Sequence, residues 1–404
     1  NGGDKNALDE FNSWLKLSDL VIRHMIVRIK NKPDIISMAP GRINIIGEHT
    51  DYNFGLAIPS AINRWVSIAI SKQKGSLIRV YNNNYKDSLE FSLSDIDNND
   101  SSWINLMHRT FSLFKEEYNL DCGFDIVINS NIPIGCGLSS STAFSIGLIN
   151  AISKSISMTL KKTEKIILSQ KIEKISMETN GGLLDQFSIL MSKKNQLMLI
   201  DFEDNDIKYF SQKLMKDSWV VVNSNIKREL SNSKYNERVA ECTKGFNFLK
   251  KKSGIAKCGD IKKGVLDKYP IDNPVISKRI RHVVSENDRV EKMYKAILKN
   301  DTMQIGRILF ESHQSLSSDY EVSCKEIDYL INCSSKVIGW RGGRIVGGGF
   351  GGCTIHLLDN TMIEKYSKII DEKYFKKYGI HPDIFPVRFL GGAEVIDYIK
   401  TKEF

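Results

Sequence analysis

The sequence has no apolar run approaching the roughly 18 residues that a membrane-crossing helix needs, so no membrane span is expected. It has no C-x-x-C pair. Its seven cysteines (Cys122, Cys136, Cys242, Cys258, Cys324, Cys333 and Cys353) are odd in number and scattered, which argues against a cysteine zinc site and against a disulfide framework. A reducing compartment, the cytoplasm, is the simple expectation. The first residues, Asn1-Gly2-Gly3-Asp4-Lys5, lack the charged-then-apolar layout of a secretory leader. Glycine and proline, at 28 and 8 residues, are too few for a low-complexity chain, and no internal repeat or long linker is visible. An excess of acid is also missing: Lys+Arg 57 against Asp+Glu 48 gives a formal charge of +9. The basic residues are scattered, in short runs such as Lys250-Lys251-Lys252, with no basic or aromatic motif of a nucleic-acid binder. The charge reads as a solvated, lysine-rich surface whose mild field also suits an anionic nucleotide, and no nucleic-acid partner is expected.

What is present is ordinary globular material. A chain of 404 residues with 41% hydrophobic and 26% charged residues is too long for one core and comfortable for two. Residues 7–30 carry apolar residues at helical spacing, and 103–118, 143–156, 234–252, 275–299 and 362–377 also read as helices. Strands are expected over 35–46, interrupted at Pro40-Gly41, and over 66–70, 77–81, 89–91, 124–128, 198–202, 219–223, 344–346, 354–358 and 383–389. This mixture without a regular βαβ repeat points to an α+β fold. A domain junction fits best in the polar segment 205–217.

Four segments can carry chemistry. In Gly41-Arg42-Ile43-Asn44-Ile45-Ile46-Gly47-Glu48-His49-Thr50-Asp51-Tyr52 a cation, two carboxylates and an imidazole gather at a strand end. They form either a site for several sugar hydroxyls or a solvated turn. In Pro133-Ile134-Gly135-Cys136-Gly137-Leu138-Ser139-Ser140-Ser141-Thr142-Ala143, glycines and hydroxyls lie between a strand and a helix. Such a loop can cradle an anion with its backbone N–H groups, or it is a flexible turn before a serine-capped helix. It matches neither the Walker pattern nor the dinucleotide fingerprint. Five glycines stand in the six residues Gly347-Gly348-Gly349-Phe350-Gly351-Gly352, between two strands, where a close backbone approach is a better reading than a linker. In Gly181-Gly182-Leu183-Leu184-Asp185-Gln186 a lone acid, Asp185, sits among apolar residues; it is either a structural cap or a catalytic group.

In this order and at these distances, the four segments resemble the galactokinase family of the GHMP small-molecule kinases. Ser233-Lys234-Tyr235-Asn236-Glu237-Arg238, Arg281-His282-Val283-Val284-Ser285-Glu286-Asn287 and Asp319-Tyr320-Glu321-Val322-Ser323-Cys324 extend the likeness across roughly residues 7–397. The resemblance implies a two-lobed α+β fold. Its N-terminal α/β lobe would span 1–210 and a ferredoxin-like C-terminal lobe 211–404, with the active site between them. It further implies transfer of the ATP γ-phosphate to the C1 hydroxyl of α-D-galactose with Mg²⁺ as cofactor, the first step of galactose use by the Leloir pathway, carried out by a monomer. By motif position Asp185 and Arg42 would be the catalytic pair. Arg42, Glu48, His49, Asp51, Gly182, Asp185 and Tyr235 would hold the sugar. Trp103, Gly135, Gly137, Ser139, Ser140 and Ser141 would meet the nucleotide, and Ser141 and Glu173 the metal.

The match has departures. Thr142 replaces an alanine, Cys136 stands at a position that is usually small, and Glu178 stands where glycine is common, with Met177 and Thr179 beside it. None removes a catalytic group, although the 176–181 segment bears on sugar preference. N-acetylgalactosamine kinases share most of the pattern, and Thr50 favours galactose. A sugar-sensing relative without catalysis would be expected to have lost part of the serine loop, and here Ser139-Ser140-Ser141 is intact.

Overall fold

The computed structural model describes residues 32–96, 103–178, 180–214, 216–226 and 231–397; the helix expected over 7–30 lies outside them. The first half runs β1 (Ile35–Ile46), β2 (Leu56–Gln73), β3 (Leu77–Asn82), β4 (Asp87–Ser92), α1 (Trp103–Tyr118), β5 (Gly123–Ser130), α2 (Ser140–Ser155), α3 (Lys162–Met177), α4 (Leu184–Met191), β6 (Leu197–Asp201) and β7 (Asp206–Phe210). The second runs β8 (Asp217–Asn223), α5 (Ser231–Ser253), α6 (Lys263–Lys268), α7 (Pro274–Leu298), α8 (Thr302–Ser318), α9 (Lys325–Ser334), β9 (Trp340–Val346), β10 (Cys353–Asp359), α10 (Ile363–Tyr378), β11 (Asp383–Pro386) and β12 (Glu394–Asp397). The fold is α+β.

The first sheet orders its strands β12-β1-β2-β5-β3-β4, with the β6–β7 hairpin attached to β2. Among the described residues its one parallel pair is β3 with β5. Pro40-Gly41 does not interrupt β1 as expected. The strand continues through register shifts at Pro40/Arg42 and Asn44/Ile46, because bulges absorb residues that cannot keep the ladder. At the first shift the Arg42 N–H bonds the Leu138 carbonyl at 3.1 Å, which ties β1 to the glycine-serine loop. The segment 205–217 contains a strand as well as a crossing: the chain leaves β7 at Phe210 and enters β8 at Asp217.

The second sheet is antiparallel throughout, in the order β11-β8-β10-β9. With helices between β8 and β9 and between β10 and β11, this is the ferredoxin-like arrangement. The halves share an interior. Val290, Met293 and Ile297 of α7 and Ile305, Ile308 and Leu309 of α8 join the core of the first sheet, and β12 returns to pair with β1. Each such side chain contributes about 1.5–3 kcal/mol on full burial, so hydrophobic packing joins the two halves.

Candidate active site

The turn after β1 is set by its own polar groups. The Thr50 hydroxyl lies 2.8 Å from both the Gly47 and the Leu56 carbonyl oxygens, its one proton shared between them, and Asn53 Nδ2 donates to the His49 carbonyl at 2.7 Å. His49 adopts φ +62°, a left-handed conformation that is uncommon for a side-chain-bearing residue and is held here by these contacts. From the second half, Glu286 Oε1 accepts the Gly47 N–H at 3.0 Å, and His282 Nε2 contacts the Glu48 carbonyl at 3.2 Å. The strand end is therefore a braced platform rather than a solvated turn.

That platform faces the start of α4 and the glycine-serine loop across a polar cavity of about 190 Å³. Arg42, Glu48, His49, Asp51, Gly182, Asp185 and Tyr235 all line it, together with Ser141 and Glu173. Arg42 Nε meets Asp185 Oδ1 at 2.7 Å, and Arg42 Nη1 donates to the Gly137 carbonyl at 2.7 Å. Burial opposes the charge on Arg42, but Asp185, Glu48 and Asp51 outweigh it and hold the guanidinium above its ordinary value. Gly182 is required by space: a Cβ there would collide with the Asp51 carboxylate.

Electrostatics divides the acids. Burial, reinforced by the neighbouring Asp185 charge, raises Asp51 to about 7. Burial likewise raises Glu173 to about 8, against the pull of its hydrogen bond from Thr142. Burial pushes His49 well below its usual range, and nearby His282 adds to the effect, so the imidazole is neutral. Burial also keeps the Tyr235 phenol protonated.

A second cavity, of about 350 Å³ and more apolar, adjoins the first; Ser141 and Met177 line both. Trp103, Ser140 and Phe144 form part of its wall. Tyr85 lies parallel to Trp103, with ring centroids 6.3 Å apart and planes at 13°. A flat aromatic ligand and a chain of anionic groups could lie from here to the α2 N-terminus.

The remaining expected residues fall differently. Ser139 precedes α2 with φ +60° and does not cap it; its hydroxyl donates to Asp185 Oδ2 at 2.5 Å. Gly137 meets Arg42 through its carbonyl. Gly135 has φ +70° with open space around it and lines neither cavity. The late glycine run packs on this loop: a Cβ on Gly347 would lie 2.6 Å from the Gly137 carbonyl oxygen, and the Gly347 N–H donates to Glu48 Oε1 at 2.8 Å.

Sequence reasoning missed several supports. Thr142 Oγ1 and Gln186 Nε2 donate to the two Glu173 oxygens at 2.6 and 2.7 Å. Arg344, wholly buried, pairs with Glu48 at 3.1 Å. Tyr85 had no signal beyond an isolated aromatic, but Glu286 and His282 stood in a segment already noted for its likeness, without a role.

This geometry agrees with what the chain resembles. Family models match in chain order: the galactokinase galactose-binding signature over residues 28–72, the GHMP kinases N terminal domain over 105–193, and the GHMP kinases C terminal over 293–373. The chain belongs to the GHMP kinases. A galactokinase of Staphylococcus saprophyticus is 35% identical over 371 residues, covering 90% of this chain and 96% of that protein. One of Bacillus subtilis is 35% identical over 361 residues, covering 88% and 93%. The crystal structure of Lactococcus lactis galactokinase complexed with galactose superposes with a TM-score of 0.88 at 28% identity, covering 93% of this chain and 99% of that one. Within the superfamily the chain belongs to the galactokinases, which are ATP-dependent sugar kinases. Among the described residues, no helix is long and apolar enough to cross a membrane.

Proposed function

We propose that this chain phosphorylates α-D-galactose at its C1 hydroxyl, yielding galactose 1-phosphate and ADP, with Arg42 and Asp185 at the reacting centre. The observation that carries this reading is the position of the Arg42–Asp185 pair, 2.7 Å apart. It stands in the polar cavity lined by Glu48, His49 and Asp51, which meets the more apolar cavity at Ser141. A polyhydroxylated acceptor suits the first space and a nucleotide the second.

Phosphoryl transfer asks the protein mainly to position the two reactants and to neutralise charge. The C1 oxygen attacks the γ-phosphorus, the bond to the β–γ bridging oxygen breaks, and ADP departs. Asp185 accepts or orients the proton of the C1 hydroxyl. Its Oδ1 is anchored by Arg42, and its Oδ2 accepts from Ser139, so the sugar hydroxyl takes a remaining lone pair or displaces the serine. Arg42, held by the Gly137 carbonyl, brings positive charge to the transferred group. The serine loop and the α2 N-terminus receive the phosphates.

Magnesium suits the donors at hand. The Glu173 carboxylate and the Ser141 hydroxyl are hard oxygen ligands on one wall of the cavity. Among the described residues no three acidic, histidine or cysteine side chains form a cage, and an ion that takes its other ligands from phosphate and water needs none. When bound, it would neutralise charge on the phosphate oxygens. All seven cysteines are free thiols, which supports a cytoplasmic setting.

The test is ADP release with ATP and Mg²⁺ against galactose, 2-deoxygalactose, N-acetylgalactosamine, glucose and mevalonate, with the product identified by phosphorus NMR. Preference for galactose with a 1-phosphate product is expected. Preference for N-acetylgalactosamine would overturn the substrate, and binding of sugar without turnover would overturn the activity.

A further inference from the structure

Beneath the His49 ring runs a buried line of hydrogen bonds that phosphoryl transfer does not use. His49 Nδ1 lies 2.9 Å from the Tyr52 hydroxyl. That hydroxyl lies 2.7 Å from the hydroxyl of Tyr320, which in turn lies 3.1 Å from Cys242 Sγ. Tyr320 and Cys242 are fully buried. The Tyr320 ring packs on His49 with centroids 4.7 Å apart. At the other edge of the imidazole, Nε2 is buried without a partner, and His49 lines the polar cavity.

We propose that Tyr52, backed by Tyr320 and Cys242, holds His49 in the tautomer that carries its proton on Nε2, so that the imidazole donates a hydrogen bond to a sugar oxygen. The inference rests on reading the cavity as the sugar site.

Two physical arguments fix the direction. The first concerns the chain itself. A neutral imidazole has one N–H and one bare nitrogen, and the partner of one nitrogen decides the other. The bare nitrogen is the best acceptor in the line, phenolic O–H the best donor, and thiol sulfur a weak group in either role. Running the bonds from Cys242 through Tyr320 and Tyr52 to Nδ1 pairs the best donor with the best acceptor. The reverse order would end a donor chain on sulfur. Burial raises both tyrosines and Cys242 above their ordinary values, so each keeps its proton for this role. The charged groups that lower the His49 pKa, Arg238 and Arg344 on facing elements, likewise favour the neutral ring.

The second concerns the ligand. The cavity wall carries the carboxylates of Glu48 and Asp185, which accept hydrogen bonds from hydroxyls. Each sugar hydroxyl also has lone pairs that need a donor. A donor at Nε2 joins those of Arg42, Ser141 and Tyr235 on the same wall in meeting these lone pairs.

Nitrogen-15 NMR of the ligand-free, histidine-labelled full chain reads the tautomer directly, whatever the enzyme's activity. The expected result is a protonated Nε2 and a bare Nδ1 for His49, with Tyr52→Phe giving a mixture. A wild-type His49 protonated on Nδ1 would overturn the proposal even if galactose is phosphorylated normally. Kinetics gives the second readout. Tyr52→Phe should raise the KM for galactose about three- to tenfold, with kcat and the KM for ATP little changed, the size of one weakened hydrogen bond. His49→Gln and His49→Asn separate positioning from folding. Asparagine suits the positive φ of this position better, yet only glutamine can place an amide N–H near the Nε2 position. Retained galactose affinity in His49→Gln and its loss in His49→Asn is expected; the opposite order would assign His49 a backbone role and sink the inference.

Discussion

Arg344, on the second sheet, reaches across the lobes to pair with Glu48 of the first at 3.1 Å, and neither side chain is more than 6% exposed. The same guanidinium donates to the Ile45 carbonyl at 2.8 Å and the Ile345 carbonyl at 2.6 Å, and to the Asn44 carbonyl. Glu48 Oε1 also takes the Gly347 N–H. One carboxylate oxygen is thereby committed to joining the lobes, and the other is left for a ligand. Breaking a buried pair by removing one partner costs about 3–5 kcal/mol. Arg344→Leu should lower the urea midpoint accordingly and weaken galactose binding, measured by calorimetry. Arg344→Lys should fare little better, because an ammonium cannot serve several carbonyls and a carboxylate in one plane. An unchanged midpoint in Arg344→Leu would refute the clasp.

Asp185 offers the cleanest separation of binding from chemistry. In Asp185→Asn the amide keeps nearly the same shape but cannot take the C1 proton. Turnover should fall by about 10²–10⁴-fold, the usual effect of losing a positioned base, while galactose binding by calorimetry persists. Turnover within about tenfold of the parent would reassign Asp185 to positioning alone.

The two raised acids predict how stability follows pH. Asp51 and Glu173 ionise near about 7 and about 8 in the folded protein, against ordinary values of 3.8 and 4.5. Between those limits the folded chain binds more protons than the unfolded one, so stability is present at low pH and is lost as pH rises through the folded values. Buried His49, His282 and His356, held below the ordinary 6.5, act in the opposite sense beneath that value, so the melting temperature of the ligand-free protein should fall as pH increases from about 6.5 to about 8. Asp51→Asn with Glu173→Gln should flatten that slope. A melting temperature that climbs over the same range, with acid unfolding dominating, would contradict the raised values.

Much of this was legible in the chain. The helix expected over 103–118 is α1, residue for residue, because its apolar positions repeat cleanly. Helix α3 gave no reading: Ile166, Leu168 and Ile172 are buried but are outnumbered by lysine, glutamate and serine. Strand β12 pairs four residues with β1, too few for alternation to show. The last strand was expected to reach Phe389 but ends at Pro386; beyond it Val387 and Phe389 are buried among the first sheet's core residues instead. At the site, the motifs named Arg42, Glu48, His49, Asp51, Ser141, Glu173, Gly182, Asp185 and Tyr235 as site residues, which line the polar cavity, but not Thr142, Met177 or Gln186 beside them. They could not name Arg344, Glu286, Tyr52 or Tyr320 as supports. Those residues act through contacts at sequence separations of 299 for Arg344 to Ile45, 239 for Glu286 to Gly47 and 268 for Tyr52 to Tyr320, which no local pattern encodes.

The nucleotide reading of the second cavity rests on Trp103 and Tyr85, whose rings are nearly parallel. Trp103→Ala should raise the KM for ATP while leaving the KM for galactose within about twofold, since removing an aromatic platform costs binding common to the ground and transition states. Tyr85→Ala should act in the same direction, more weakly, because Tyr85 is exposed at 47%. Equal losses for both substrates would mean that Trp103 serves the core beneath the cavity.

The departures around residue 177 can be sorted by what each touches. Glu178 ends α3 with φ +52° and ψ +35°, a left-handed conformation that suits glycine and costs other residues roughly 1–2 kcal/mol. Its exposed side chain lines neither cavity. The segment is held by Asn236, whose Nδ2 donates to the Glu178 carbonyl at 2.7 Å while its Oδ1 accepts the Asn180 N–H at 3.0 Å. Glu178→Gly should therefore raise stability by about 0.5–1 kcal/mol, the backbone relief less the entropy glycine adds to the unfolded chain, with sugar selectivity unchanged. Met177 lines both cavities, so Met177→Ala is the change that should alter KM values. A selectivity switch in Glu178→Gly, measured on the galactose and N-acetylgalactosamine pair, would show that the loop's backbone, not Met177, shapes the sugar pocket.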